Sequence, residues 1–238
     1  MNVGDHVGDR PQHVRANRQC LRDVMAAVSG REVHAVFMQQ VHGCAVLDVT
    51  PAVGDGMPCD ACTTDQVGVA CTVMVADCLP VLIAHRSGAV VAAAHAGWRG
   101  LAGSQGLGVL ESTWQAYAAK LGVPADAALA AETQVWLGPC IGPSAFEVGG
   151  EVRQAFVQVL PQAQDCFAAC AAGSNQWLAN LPELARQRLQ RLGIHAIFGN
   201  DGSDAWCTVL QRERFFSHRR DAAVLGATGR MAVCIWKV

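Results

Sequence analysis

Apolar residues fall along this chain in runs rather than in clean alternation. Residues 33–38 (VHAVFM) and 44–49 (CAVLDV) flank a "QQVHGC" turn. Residues 67–76 and 80–85 meet at "DCLP", and a further run over 89–95 ends in a histidine. Such runs, bounded by Gly and Pro, predict strands covered on both faces. Over 101–121 the rhythm changes: Leu107, Leu110, Trp114, Tyr117 and Leu121 recur every three or four residues. That spacing predicts a helix, stopped by Gly122 and Pro124. Residues 134–138 predict a strand leading to the turn "GPCIGP", 150–160 a helix and 165–170 a strand. "NLPELARQRLQRLG" has the marks of a helix, with Asn180 as cap, Pro182 in the first turn, Arg in the last and Gly193 beyond. "IHAIFG", "RFFSHRR" and "MAVCIWKV" predict the last three strands. The fold class expected is a single α/β domain with mixed sheets sandwiched between helices.

Composition narrows the function classes. Of 238 residues, 51% are hydrophobic and 16% charged, which fits a compact globular chain and excludes a disordered or nucleic-acid-coating one. The net charge of −2 gives no electrostatic reason to expect nucleic acid or an acidic membrane as a partner. No apolar run reaches the length of a membrane span, and "MNVGDHVGDRPQHV" lacks the basic start and apolar stretch of a signal peptide. The expected location is therefore cytoplasmic, where the 11 cysteines stay reduced and serve mainly as small packing residues.

Three residues with metal-ligand chemistry share one kind of context. His42 lies in "QQVHG", Cys78 in "VMVADCLP" and His95 in "VVAAAHAGWRG", each where an apolar run gives way to Gly or Pro. Two His and one Cys form a plausible three-ligand set with a fourth position open, and thiolate favours zinc or copper over magnesium or calcium. Asp77 is placed to support the ligands or carry a proton. The spacing matches no compact zinc-finger template, so the alternative stands that both histidines are core residues bonded to carbonyls and Cys78 is packing. Arg99 lies four residues after His95, beside an expected helix start near Gly100, and is a candidate for an anion site. "FFSHRRD" groups Ser217, His218, Arg219 and Arg220, alternatively an edge strand with solvated charges. Cys140 in "GPCIGP" is read as structural.

Taken in order, "QQVHG", "ADCLPVL", "AHAGWRGL", "WLGPCIGPSAFEVG", "FFSHRRD" and "TGRMAVCIW" resemble the laccase-domain purine nucleoside phosphorylase family, also called multicopper polyphenol oxidase or peptidoglycan editing factor. The resemblance runs from about Val3 to the C-terminus. It implies an α/β/β/α sandwich and a metal, zinc with copper as the alternative, held by His42, Cys78 and His95. The glycines after His95 would turn the backbone away and leave room for substrate. The implied activity is phosphorolysis of adenosine, inosine, guanosine and methylthioadenosine, with adenosine deamination alongside and a link to peptidoglycan precursors. The chain departs from the family pattern twice. It starts inside the "NVGDHVGD" segment, without the family's earlier strand and Gly-rich turn; if that start is the natural one, part of one pocket wall is expected to be missing. His218 also stands where the family usually has Tyr.

On this reading Arg99, with Arg219 or Arg220 and Ser217, holds phosphate, and the metal polarises the purine or an oxygen. Cys78 and His95 serve catalysis through the metal. Deamination would draw on Asp77 as proton carrier, although the usual Glu-bearing deaminase motif is absent. Three alternatives compete: a metal-free thiol hydrolase using Cys78, His95 and Asp77; a copper oxidase, hard to build from 8 histidines; and a zinc-stabilised binding factor without turnover.

Overall fold

A computed structural model describes all residues, 1–238. Helix α1 (Pro11–Ser29) is followed by strands β1 (His34–Ala35), β2 (Val46–Asp48), β3 (Ala61–Thr64), β4 (Val69–Val75), β5 (Leu79–His85) and β6 (Val91–Ala96). Helices α2 (Trp98–Ala102), α3 (Val109–Leu121) and α4 (Ala127–Ala131) come next, then β7 (Thr133–Leu137), β8 (Glu147–Gly149) and α5 (Gly150–Val157). The chain closes with β9 (Phe167–Ala169), β10 (Gln176–Ala179), α6 (Leu181–Arg191), β11 (Ile197–Gly199), α7 (His218–Leu225) and β12 (Met231–Trp236).

The strands form a mixed six-stranded sheet, β11-β7-β5-β6-β3-β2, a mixed three-stranded sheet, β1-β4-β12, and a small antiparallel sheet, β8-β10-β9. Side-chain parity explains how the two mixed sheets stack. In β4, Val69, Cys71 and Val73 join Cys62, Val91 and Ala93 of the larger sheet in one core between the sheets. The opposite face of β4, with Ala70 and Met74, packs on Met25 of α1. The outer face of the larger sheet, including Val81, Ile83, Ala92 and Ala94, lies under Leu110, Trp114 and Tyr117 of α3 and Leu184 and Leu189 of α6. Both faces of β4 and β6 are thus dry, which accounts for their unbroken apolar runs. The result is an α/β/β/α sandwich in a single domain. No helix is long and apolar enough to cross a membrane.

Several boundaries differ from the sequence expectation. Helix α1 had no strong apolar stripe to announce it: only Val14, Arg18 and Met25 are buried. The segment 101–121 is broken, because Gly103 adopts φ +62° and a Cβ there would collide with the Leu107 carbonyl. "RFFSHRR" is not a strand. The Ser217 hydroxyl accepts the Arg220 N–H at 3.1 Å and caps α7. Asn180 caps α6 as expected, accepting the Glu183 N–H. The chain ends lie together: the Val3 N–H donates to the Arg230 carbonyl at 3.1 Å, and β12 pairs along β4 from Met231↔Val75 to Trp236↔Ala70.

Candidate metal centre

The stacked sheets bring three chain segments to one edge. β4 ends at Val75, and Cys78 immediately precedes β5. His95 sits in β6 opposite Pro80 in the antiparallel pairing of β5 and β6. His42 comes from the turn between β1 and β2, where it takes φ 60°. The Cys78 Sγ and His42 Nε2 are 3.7 Å apart, and one donor atom from each of the three residues lies within 4.8 Å of the others. A thiolate and an imidazole on one tetrahedral divalent ion would be separated by about 3.6 Å. The donor set therefore fits a metal ion, and no other group of three or more His, Cys, Asp or Glu side chains gathers in this way. His42 is exposed, Cys78 half-buried and His95 buried, so one side of the trio faces solvent.

Asp60, which the motifs did not single out, organises the trio. It is fully buried just before β3. Its Oδ1 lies 2.9 Å from His95 Nδ1 and accepts the His42 N–H at 2.8 Å. Its Oδ2 accepts the N–H groups of Val41 (3.1 Å) and Gly43 (2.7 Å). Burial opposes its ionisation, but the His95 hydrogen bond and these amides outweigh burial and hold the carboxyl below its ordinary value. Burial likewise pushes the Cys78 thiol up. The two imidazoles, His95 first, reverse that and bring it to about 6 in the metal-free protein. Burial pushes His95 down, but the Cys78 thiolate and Asp60 raise it to about 9. Gly97 lies against the trio: a Cβ there would sit 2.9 Å from His42 Cδ2 and 3.0 Å from Cys78 Sγ. This glycine makes room for the ligands themselves rather than for a substrate.

A cavity of about 510 Å³ opens on the trio. Asp77, Arg99, His218 and Arg219 from the sequence candidates line it, as do Arg230, Phe146 and Trp98. The Arg99 guanidinium stacks on Trp98 at 4.4 Å, and Arg219 lies 5.7 Å from the Phe146 ring. Arg230 is half-buried. Its Nη1 donates to the Thr228 carbonyl at 2.9 Å, and burial lowers its pKa. His6, which none of the motifs includes, also lines the cavity.

Other candidates are engaged elsewhere. Asp77 bonds none of the three donors. Its carboxylate accepts the Thr208 hydroxyl and the Arg219 N–H at 2.6 Å. Ser217 is fully buried as the α7 cap, so its hydroxyl is not offered to a ligand. Arg220 turns away from the cavity, holding Asp221 at 2.6 Å and the carbonyls of Thr208, Val209 and Phe215. Cys140 is buried beneath the site and accepts from Asn200 at 3.4 Å.

Comparison with known proteins agrees with this architecture. The purine nucleoside phosphorylase YfiH of Escherichia coli is 44% identical over 238 residues, covering 100% of this chain and 86% of that protein. A purine nucleoside phosphorylase of Pseudomonas aeruginosa is 43% identical over 236 residues, covering 99% and 85%. A crystal structure of a Neisseria meningitidis protein matches with a TM-score of 0.84 at 42% identity, covering 99% of this chain and 86% of that one. That of Bacillus licheniformis YfiH matches with a TM-score of 0.84 at 29% identity, covering 100% and 85%. A family model described as multi-copper polyphenol oxidoreductase laccase matches residues 1–238, and the chain belongs to that family.

Proposed function

We propose that the protein is a metal-dependent purine nucleoside phosphorylase, with zinc at His42, Cys78 and His95. The carrying observation is the convergence of a three-donor centre, three guanidinium groups and two aromatic faces on one cavity. The names of the bacterial relatives support the reaction class. Phosphate attacks C1′ of the ribose as the C1′–N9 bond breaks, so the site must hold a dianion, tolerate positive charge on the sugar and accept a departing base. Arg230 and Arg219 hold phosphate, with Arg99 at the rim. Of these, Arg230 is the least solvated and has unused N–H groups, so it contributes most. Trp98 and Phe146 take the purine by stacking. The metal, when bound, supplies Lewis-acid polarisation. Adenosine, inosine, guanosine and methylthioadenosine are the substrates proposed. Deamination through Asp77 has weaker geometric support, since both carboxylate oxygens already accept hydrogen bonds. A cytoplasmic location rests on the sequence pattern described above, and a peptidoglycan-precursor role on the family resemblance alone. Polyphenol oxidation by a multicopper centre is disfavoured by the single donor cluster.

The test pairs elemental analysis with a phosphate-dependent assay on adenosine and inosine. Near-stoichiometric zinc and phosphate-requiring release of base are expected, both lost in Cys78→Ala. Normal phosphorolysis by metal-free Cys78→Ala would overturn the proposal.

One observation favours a second reading. Asp60, His95 and Cys78 are ordered as the acid, base and thiol of a cysteine hydrolase, with Asp60 rather than Asp77 as the acid. Protein that contains no metal as purified, is active in that state and loses the activity to iodoacetamide would establish that reading instead.

A further inference from the structure

We infer that Asp60 is the positioning residue that assembles the metal centre before a metal arrives, holding two of its three donors through one carboxylate. A histidine that ligates through Nε2 needs its Nδ1–H directed at an acceptor, which fixes the tautomer and ring orientation and strengthens the ligand. Asp60 Oδ1 provides that acceptor for His95 at 2.9 Å. The same oxygen takes the His42 N–H, and the other takes the amides on either side of it, from Val41 and Gly43. Three consecutive amides converging on one anion hold the turn in place. His42 has φ 60°, a left-handed conformation that is strained for a non-glycine residue. The charge-assisted bonds from Asp60 offset that strain. The carboxylate is fully buried and every contact it makes points toward a ligand or a ligand's neighbours. Cys78 is the one donor that Asp60 does not touch. It is fixed instead by the turn into β5 and by contact with Gly97.

This inference rests on the metal reading of the trio, not on phosphorolysis, and its test reads metal affinity directly. Asp60→Asn keeps the shape but replaces one acceptor oxygen with an NH2 that faces backbone donors. Zinc and cobalt titrations of wild type and variant, each first stripped of metal, give the two dissociation constants. The variant is expected to bind 10–100-fold more weakly. Affinities within twofold of each other would overturn the assignment of Asp60 while leaving the metal centre intact. A wild type without measurable affinity would remove the centre itself and this inference with it. If Asp60→Asn does not fold, the wild type decides. In cadmium-loaded, 15N-labelled protein, metal–nitrogen coupling to His95 through Nε2 supports the inference, and coupling through Nδ1 overturns it.

Discussion

The Asp77 carboxylate accepts the backbone N–H of Arg219 at 2.6 Å across 142 residues of sequence. This bond fastens the start of α7, and with it one wall of the cavity, to the turn that carries Cys78. On the proposed function this makes Asp77 a positioning residue for the phosphate site, with Thr208 held by its other oxygen. Asp77→Asn is expected to raise the KM for phosphate several-fold with a smaller change in kcat, and to cost about 1–3 kcal/mol in stability, because a buried donor loses its acceptor. Steady-state kinetics with phosphate varied, alongside urea unfolding, checks this. A collapse of kcat at unchanged KM would instead point to a proton-carrying Asp77.

Arg230 is the cavity's most sheltered cation. Arg230→Lys keeps the charge but loses the planar fork, and a loss of roughly 10–100-fold in kcat/KM for phosphate is expected, about 1.4–2.8 kcal/mol. Arg220→Lys, on the far side of α7, should leave the phosphate KM unchanged. Equal effects of the two substitutions on that KM would remove Arg230 from the anion site.

Gly97→Ala inserts a methyl group against His42 and Cys78. The backbone at Gly97 has φ −67°, which alanine accepts, so the strain falls on the donors rather than on the chain. Circular dichroism should match wild type while zinc affinity falls at least tenfold. A variant that takes up metal as tightly as wild type would mean the trio tolerates displacement.

With metal removed, the Cys78 thiol titrates at about 6. Above that pH the thiolate dominates and below it the thiol does, so the alkylation rate with iodoacetamide should be high at pH 7 and fall as the solution is acidified through about 6. Bound metal should suppress the reaction throughout. A rate that climbs until pH 9, as for an ordinary thiol, would show that the imidazoles do not stabilise the charge.

Arg188 and Glu111 form a buried pair at 2.9 Å, and the same guanidinium donates to the carbonyls of Ala102 and Gly106. It ties the glycine-rich link between α2 and α3 to α6. Arg188→Met leaves Glu111 without its partner and should cost about 3–5 kcal/mol, measured as a drop in the urea midpoint at unchanged slope.

Much of this arrangement was legible in the residues. The buried strands announced themselves because both of their faces are dry, and α6 because Asn180, Pro182 and Gly193 mark its ends. The three donors stood out because each interrupts an apolar run at a turn. Helix α1 did not, because its inner face presents only Val14, Leu21 and Met25 among charged neighbours, with the Arg18 guanidinium lying over the Phe37 ring. Asp60 was the larger omission. "PCDACTT" shows an acid among apolar and small residues, and a buried carboxylate always needs partners. Its partners lie in the turn 41–43 and in β6, and no periodicity along the sequence connects them. Ser217 and Arg220 looked like ligand residues for the opposite reason: their polar groups are used up in capping and bracing α7, which is visible only in three dimensions.

The joining of the two chain ends bears on how the molecule comes into being. His42, Cys78 and His95 emerge from the ribosome early, whereas Arg230 and the strand that pairs with β4 appear well after them. On the proposed function, the three donors are therefore made well before the arginine that completes the anion site. A message cut short before codon 230 would yield a polypeptide that carries every donor but lacks the cavity's Arg230 and all of β12.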